Sequence, residues 1–573
     1  MKRSSAVRVG VAGAACALLA QGAAFGAAVA PLELTKPVQA TGGNVDPGRL
    51  YSSPAIAVDP KDPMRVVAGV ADLRNRRCSL LRSFDGAKTW SIADASPALA
   101  AFPFCSQSQG GVIQAPVAFG RNGTLYMAMG GWDDQDGARA SGGIVLARST
   151  NLGDTWQTVN VYNGRGKTGE AAENPRPPQG LTVDTTTGND DTVYVSFNLS
   201  KPGLVAPNAV PAVPMVAVSK DGGRTFGAPT DLSAKVFEPA ALRDQALTAR
   251  TTTTVAANAT TTTTTIPPAG SKAADPGQVA NFGGSGARLG VDAKGVAYAL
   301  WQSATSNVTP SPPAARFLST SADGGRTWTT TQTMPFSYDN GAPRFAVSPA
   351  GTLHIVYARN PRPELSGYSD IFHQVSTDGG KSWSAPKNLT DDDPARLVGQ
   401  YIPNISVAPN GRVDAVWWDT RDDPGIRSND VYYAYSTDEG KTWSANKRIT
   451  DQPVDRRVGI WGANYDISSP PAVTSTNAYA MFGWDDTRNT SGVYDPAQVN
   501  SEFGGGLQDV YTAAVQFETL SGGTSKTAKL ALAGVVGLVA VGIVLLVVAL
   551  ATRRTRRPAP KETVGDRPGA RVS

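Results

Sequence analysis

An eight-residue pattern, S-x-D-x-G-x-T-W, recurs six times in this chain, and no other feature of the sequence restricts the fold as tightly. The copies run from Ser83 to Trp90, Ser149 to Trp156 (Asn151 for the Asp), Ser219 to Phe226 (Phe for the Trp), Ser321 to Trp328, Ser376 to Trp383 and Ser436 to Trp443. Each reads as a tight hairpin turn. The carboxylate of Asp85, Asp221, Asp323, Asp378 or Asp438 accepts backbone N–H bonds inside the turn, the glycine supplies positive φ, and the aromatic residue opens the return strand. An apolar strand such as Asp370-Ile-Phe-His-Gln-Val375 precedes each copy. Six copies in one register predict a repeat protein made of β-hairpins.

The units around the turns share one layout: a short strand after Pro or a polar residue, a second strand after a Gly turn, a variable loop, a third strand, the octapeptide and a fourth strand. Unit five shows it as Ala342 to Val347, Gly351 to Tyr357 and Asp370 to Val375. The other units start near Pro54, Pro116, Gly180, Arg288, Pro403 and Pro471, which makes seven units, one more than the octapeptides. The seventh reaches Asp509-Val-Tyr-Thr-Ala-Ala-Val515 and stops without a fourth strand. Leu32 to Val38 is expected to supply it and close a ring, which removes free sheet edges. The expected fold is all-β, a β-propeller of four-stranded blades, seven in number with six as the alternative. The octapeptide is the Asp box, and residues 45 to 516 resemble the sialidase-like Asp-box (BNR-repeat) β-propellers. The resemblance implies that the boxes lie between the third and fourth strands of each blade. It also implies that they are structural and face away from the sialidase active site.

The ends of the chain carry different signals. Residues 1–30 combine Lys2, Arg3 and Arg8 with an apolar stretch and small residues at Ala28-Val-Ala30, the pattern of a secretory signal peptide. The propeller is expected over 31–520, with a disordered Thr-rich insertion near 231–278 and a juxtamembrane linker over 521–529. Residues 530–552 form an uncharged apolar run about 34 Å long as a helix, enough to span a bilayer. The basic tail 553–573, opening with Arg553-Arg-Thr-Arg-Arg557, is expected to stay cytoplasmic. The expected topology is a single-pass plasma-membrane protein with an extracellular, monomeric propeller.

Net charge then means little. Of 53 basic and 48 acidic side chains, three basic ones lie in the first 30 residues, and seven basic against two acidic follow Thr552. The propeller is slightly acidic, and no nucleic-acid partner is implied. Of three cysteines, Cys16 leaves with the signal. Cys78 and Cys105 are expected to form a disulfide in an oxidising compartment, two buried free thiols being the alternative. His354 and His373 both sit in strand-like runs and read as buried or edge residues. No cofactor or metal is expected. Calcium is conceivable at the acid-rich stretches Asp133-Asp134 and Asp391-Asp-Asp393, but neither has the spaced ligands of a calcium loop.

Function is expected at the mouth of the central channel, on the face opposite the boxes. Aligned by their starts, the units place Ala55, Val117, Arg288, Arg344, Asn404 and Pro471 at one equivalent position, with unit three unassigned. Arg288 and Arg344, from adjacent units, suit a carboxylate because a guanidinium fork matches it bidentately; the alternative is that each pairs with a neighbouring acid. A second constellation consists of Trp417-Trp-Asp-Thr-Arg421, Trp484-Asp-Asp-Thr-Arg488 and Asp72-Leu-Arg74. There Arg421 and Arg488 are either ligand contacts or, the preferred reading, partners in loop-ordering ion pairs with Asp419 and Asp486.

The family resemblance extends to single residues. An aromatic-Arg-Ile-Pro motif opens the first blade of a sialidase, and its Arg belongs to a triad that grips the substrate carboxylate. This chain has Tyr51-Ser-Ser-Pro54, with Ser52 in that position and Arg49 three residues upstream. Asp72 resembles the acid/base Asp ahead of the first box, Tyr401 the Tyr nucleophile and Glu173 its activating base. Three functions remain open: a module that recognises a glycan or another anionic polymer, a sialidase-type glycoside hydrolase, and a scaffold for protein partners.

Overall fold

The computed structural model describes residues 33–517 apart from loop segments, the longest of them 235–283. Seven antiparallel sheets follow one another along the chain, spanning 51–94, 117–163, 180–231, 284–334, 344–388, 400–448 and 472–516, and are numbered here as blades 1 to 7. Within a blade the strands pair in chain order, as in blade 5 with Arg344–Val347, Leu353–Arg359, Asp370–Ser376 and Lys387–Asn388. First strands of successive blades touch from blade 1 to blade 7 and back to blade 1, so they line a central axis. The chain is an all-β, seven-bladed propeller. Middle strands are covered on both faces by neighbouring blades, which is why Leu125–Trp132 is buried along its whole length instead of alternating.

The missing fourth strand of blade 7 comes from the N-terminal side. Glu33–Leu34 pairs antiparallel with Asp509–Gln516, Glu33 opposite Gln516, and Val38–Gln39 pairs with Tyr511 and Thr512 of the same strand. The joint is reinforced by charge. Arg49 clasps the buried Asp509 at 2.7 and 3.0 Å, and Thr41 donates to it at 2.8 Å. Arg49 is therefore held in ring closure and does not replace a channel arginine at Ser52. Across the same joint Asp485, 2% exposed, accepts hydrogen bonds from Ser52 Oγ (2.7 Å), Ser53 N (3.1 Å) and Gln508 Nε2 (3.1 Å). Burial pushes its carboxyl up to about 7.

The six octapeptides build one repeated knot. In each, the serine Oγ accepts the N–H of the fifth residue at 2.8 to 2.9 Å, as from Ala87, Gly380 and Gly440. The same hydroxyl donates to Oδ1 of Asp85, Asn151, Asp221, Asp323, Asp378 or Asp438 at 2.7 to 2.8 Å. That oxygen also takes the N–H of the seventh residue, at 2.8 Å from Thr442. The fourth and fifth residues both have positive φ in all six copies, the geometry of a type I′ hairpin, and it holds even where they are Leu152, Ala87 or Glu439.

Cys78 in blade 1 forms a disulfide with Cys105, their Cα atoms 5.5 Å apart, and the adjacent Phe104 bridges to Trp132 of blade 2. His354 and His373 are buried in blade 5, His354 Nδ1 lying 3.2 Å from His373 Nε2, while His354 Nε2 meets Glu439 of the next blade at 3.1 Å. Burial, aided by His354, pushes His373 down to about 3. The stretches 1–30, 521–529, 530–552 and 553–573, and most of the Thr-rich 231–278, lie outside the described residues. Among the described residues no helix is long and apolar enough to cross a membrane.

Three outcomes are expected in unfolding experiments on the purified protein. Ser436→Ala strips the buried Gly440 N–H of its acceptor and should cost about 1–3 kcal/mol, whereas Thr437→Ala, on the exposed outer side of the same box, should stay within about 0.5 kcal/mol. Ala87→Gly relieves a left-handed alanine where the five other boxes have glycine and should add up to about 1 kcal/mol; a loss would mean that packing of the methyl outweighs the strain. The third concerns pH. Asp485 keeps its proton in the folded state up to about 7 but releases it near 3.8 when unfolded, so its contribution is complete below 3.8 and fades as pH rises to about 7. Thermal midpoints of wild type should therefore fall relative to Asp485→Asn over that window, with a free-energy slope of at most about 1.4 kcal/mol per pH unit. Parallel pH profiles for the two proteins would refute it.

Candidate functional site

The strand-1 entries of all seven blades converge on a cavity of about 230 Å³ at the axis. Register fixes which residues are equivalent. The position opposite the strand-2 residue that faces box serine minus three is Ala55 in blade 1, Arg288 in blade 4, Arg344 in blade 5 and Asn404 in blade 6. Blade 3 fills it with Gly180 and blade 2 with Pro116, whose carbonyl accepts the N–H of Ala128 at 3.0 Å. Blade 7, which has no box, presents Ala472 opposite Gly483. Val117 and Pro471 are thus each one residue away from the ring position that sequence alignment assigned to them. In blades 1, 4 and 6 the register shifts just before this position, between Ser52 and Ala55, Ser285 and Arg288, and Tyr401 and Asn404. Ser53 and Ile402 take positive φ at the shift. These bulges re-aim the strand entry toward the axis.

The chemistry of the wall is one-sided. Arg288 and Arg344 come from blades whose first strands are in contact, with Gln179 on one side and Asn404 on the other. Arg288 Nη1 donates to the carbonyl of Gln179 at 2.5 Å, which fixes its guanidinium; burial pushes it down to about 10, so it remains cationic at neutral pH. Arg344 is only 9% exposed, and its Nε has no hydrogen-bond partner among the described residues. Asn404 Nδ2 donates to the carbonyl of Pro471 at 3.0 Å. None of the described residues lining the cavity carries a carboxylate. Two adjacent guanidiniums flanked by amides present the fork of N–H donors that matches a carboxylate bidentately.

The other candidates fall elsewhere. Arg421 binds Asp419 at 2.7 Å, Asp391 at 2.8 Å and Asn446 at 2.9 Å, over the ring of Tyr432. Arg488 repeats the arrangement with Asp486 and Asp451, both at 2.8 Å, over Tyr511. Trp417 and Trp484 donate to the same two aspartates. These are loop-ordering ion pairs, and neither arginine lines the cavity. Asp72 accepts both nitrogens of Asn75 in a turn at the end of its strand, and Arg74 donates to the carbonyl of Gly48. Tyr401 is buried among Trp418, Tyr433 and Trp484, with the Arg456 guanidinium 5.2 Å from its ring centre. Neither Asp72 nor Tyr401 lines the cavity, and Glu173 lies outside the described residues. Among the described residues no group of three or more His, Cys, Asp or Glu is placed to hold a metal; Asp133 and Asp134 lie outside them, and Asp391 is taken by Arg421 and Asn446.

Known proteins were compared with the chain at three levels. Residues 317–463, from the third strand of blade 4 to the loop after blade 6, match the family model described as BNR repeat-containing family member. No curated protein matches the chain. Among solved structures the chain is similar to a protein of unknown function from Dyadobacter fermentans, at 12% identity and a TM-score of 0.41, covering 84% of this chain and 98% of that one. It is similar to Trypanosoma rangeli sialidase in complex with the inhibitor DANA, at 10% identity and a TM-score of 0.40, over 70% of this chain and 54% of the sialidase. Penicillium chrysogenum α-L-arabinanase complexed with arabinobiose is similar at 12% identity and a TM-score of 0.38, over 73% and 99% of the two chains. With six Asp-box turns in seven blades and a BNR-repeat model matched over residues 317–463, the chain is a seven-bladed β-propeller that carries BNR repeats.

Proposed function

We propose that this propeller is an extracellular, membrane-anchored recognition module that captures a carboxylate-bearing glycan, or another anionic polymer, at the mouth of its channel. The observation that carries the reading is the Arg288–Arg344 pair, set side by side in the wall of the axial cavity between Gln179 and Asn404. Capture is favoured over hydrolysis because retaining and inverting glycosidases both need two carboxylates, or a nucleophile with its activating base, facing the same bond. Asp72 and Tyr401 are committed to a turn and to the core instead. Extracellular placement and the anchor rest on the signal-like residues 1–30 and the apolar run 530–552.

The test is binding and turnover on the same panel of acidic glycans. Wild-type protein should bind without hydrolysing any of them, and Arg344→Ala should weaken binding by about tenfold to a hundredfold, the worth of one charge-assisted hydrogen bond. Arg421→Ala should lower stability but leave affinity unchanged. Turnover of a fluorogenic sialoside that disappears in Tyr401→Phe and in Arg344→Ala would replace this reading with a sialidase-type hydrolase.

A further inference from the structure

The box end of the propeller wears its cations outermost. The sixth residue of the octapeptide is basic in five of the six copies, Lys88, Arg224, Arg326, Lys381 and Lys441, and all five are exposed. Lys61 and Lys294, on the turns joining the first and second strands of blades 1 and 4, and Lys220 in the third box are exposed as well. Backbone bonds from Gly86 to Met64 and from Gly222 to Asp191 tie the two sets of turns into one face. The acids of this face are held within it. Asp378, the most exposed of the box aspartates, takes Ser376 Oγ at 2.8 Å, Ser382 N at 3.0 Å and Ser382 Oγ at 2.5 Å. Asp59, Asp184 and Asp292 in the adjoining turns are buried. Asp154, the acid at the sixth box position, meets Arg82, and Asp190 meets Arg224 at 3.5 Å. A flat anionic surface approaching this end therefore meets long cationic side chains first.

Two further features share the face. Phe84, in the same turn as Lys88, is 58% exposed, and no other large hydrophobic side chain among the described residues is exposed. The third strand of blade 7, Asp509–Gln516, also ends here: Phe517 N donates at 2.7 Å to the carbonyl of Ala478, in the turn between that blade's first two strands. Twelve residues, 518–529, separate Phe517 from the apolar run 530–552, a covalent reach of about 40 Å at most. From these three features together we propose that the box face docks on an anionic lipid bilayer, with its Lys and Arg side chains against the headgroups and Phe84 inserted among them. Each cation near such a surface adds an attraction that fades within a screening length, and the aromatic ring leaves water at the interface. Docking by this face turns the strand-1 entries, at the other end of every blade, toward solvent. The inference rests on the membrane-anchored reading and adds the face that lies down and the lipid chemistry that holds it.

The test compares two lipid surfaces under the same anchored protein. Full-length protein would be reconstituted in nanodiscs of phosphatidylcholine alone and of phosphatidylcholine with phosphatidylglycerol in equal parts, and lysine acetylation by a neutral reagent followed by peptide mapping. Lys88, Lys381 and Lys441 should react at least about threefold more slowly in the anionic discs, and the difference should vanish at about 1 M salt, where the screening length is about 3 Å. Arg224→Glu combined with Arg326→Glu, two exposed positions that leave the reporter lysines in place, should cut the difference by about half or more. Phe84→Ser should relax protection at Lys88 more than at Lys381. Equal rates in the two lipids, with the protein retained in both discs, would overturn docking and leave the anchor intact. Protection that survives both high salt and the double arginine exchange would overturn the assignment to these cations. Protein recovered outside discs of either composition would overturn the anchored reading itself.

Discussion

The hydrogen bond from the fifth residue of each Asp box to its serine hydroxyl is the contact on which the propeller depends, because it shapes a turn and spaces two blades at once. The residue it holds at positive φ sits against the preceding blade: Gly153 on Leu80, Gly223 on Leu146, Gly325 on Val218, Gly380 on Leu318 and Gly440 on His373. A side chain there would overlap those groups, so the turn must combine left-handed backbone with no Cβ, a demand glycine meets and other residues meet only under strain. The knot thus turns local turn chemistry into an inter-blade distance. Blade 7 has no box, and its outer edge is instead closed by backbone pairing with Glu33–Leu34 from the other end of the chain, which locks the first and last parts of the propeller into one sheet.

The boundary between blades 5 and 6 departs from this scheme. Where blades 1, 2 and 4 present Leu80, Leu146 and Leu318 to the next box, blade 5 presents His373, and where blades 2, 3 and 4 carry Tyr126, Tyr194 and Tyr298, it carries His354. The two rings stack with centres 5.4 Å apart and reach Glu439, which occupies a box position held by glycine in four of the other five copies. A buried chain of hydrogen bonds from His373 through His354 to Glu439 replaces hydrocarbon there. Such a chain fixes the relative setting of two blades by direction as well as by volume.

What the sequence revealed depended on how local the determining chemistry was. The boxes were legible because serine, aspartate and glycine at fixed offsets specify a turn without outside help, and blade count followed from their spacing. Closure by the N-terminal strand was legible as a missing fourth strand and a spare apolar segment. The exact ring position was not, because a bulge leaves no trace in a period-two pattern: the shifts before Ala55, Arg288 and Asn404 are invisible beside the unbulged entries at Pro116 and Ala472. Tyr401 was misleading for a related reason. An aromatic residue at a strand entry reads the same whether it faces a channel or, as here, Trp418 and Trp484. Arg421 and Arg488 could be told from ligand contacts by repetition alone, since the same W-x-D-x-R spacing in two blades serves each blade's own loop.

The boxes fix geometry at one end of six blades and leave the strand-1 entries at the other end free to differ, so the mouth is where this architecture can acquire a specific chemistry. In most blades the entry position holds Pro, Ala or Gly, which cost nothing to bury. Blades 4 and 5 place arginines there, and adjacent like charges in a confined space raise the free energy of the folded chain unless a counter-charge joins them. Three other buried arginines have one within reach, Arg412 with Asp414, Arg421 with Asp419 and Arg488 with Asp486. Arg344 instead has a buried Nε unmatched among the described residues, in the wall of a cavity on the axis. On the proposed reading, stability given up at the channel mouth is what a bound oxyanion would recover, and this coupling between folding cost and ligand charge is the physical argument for seeking recognition there.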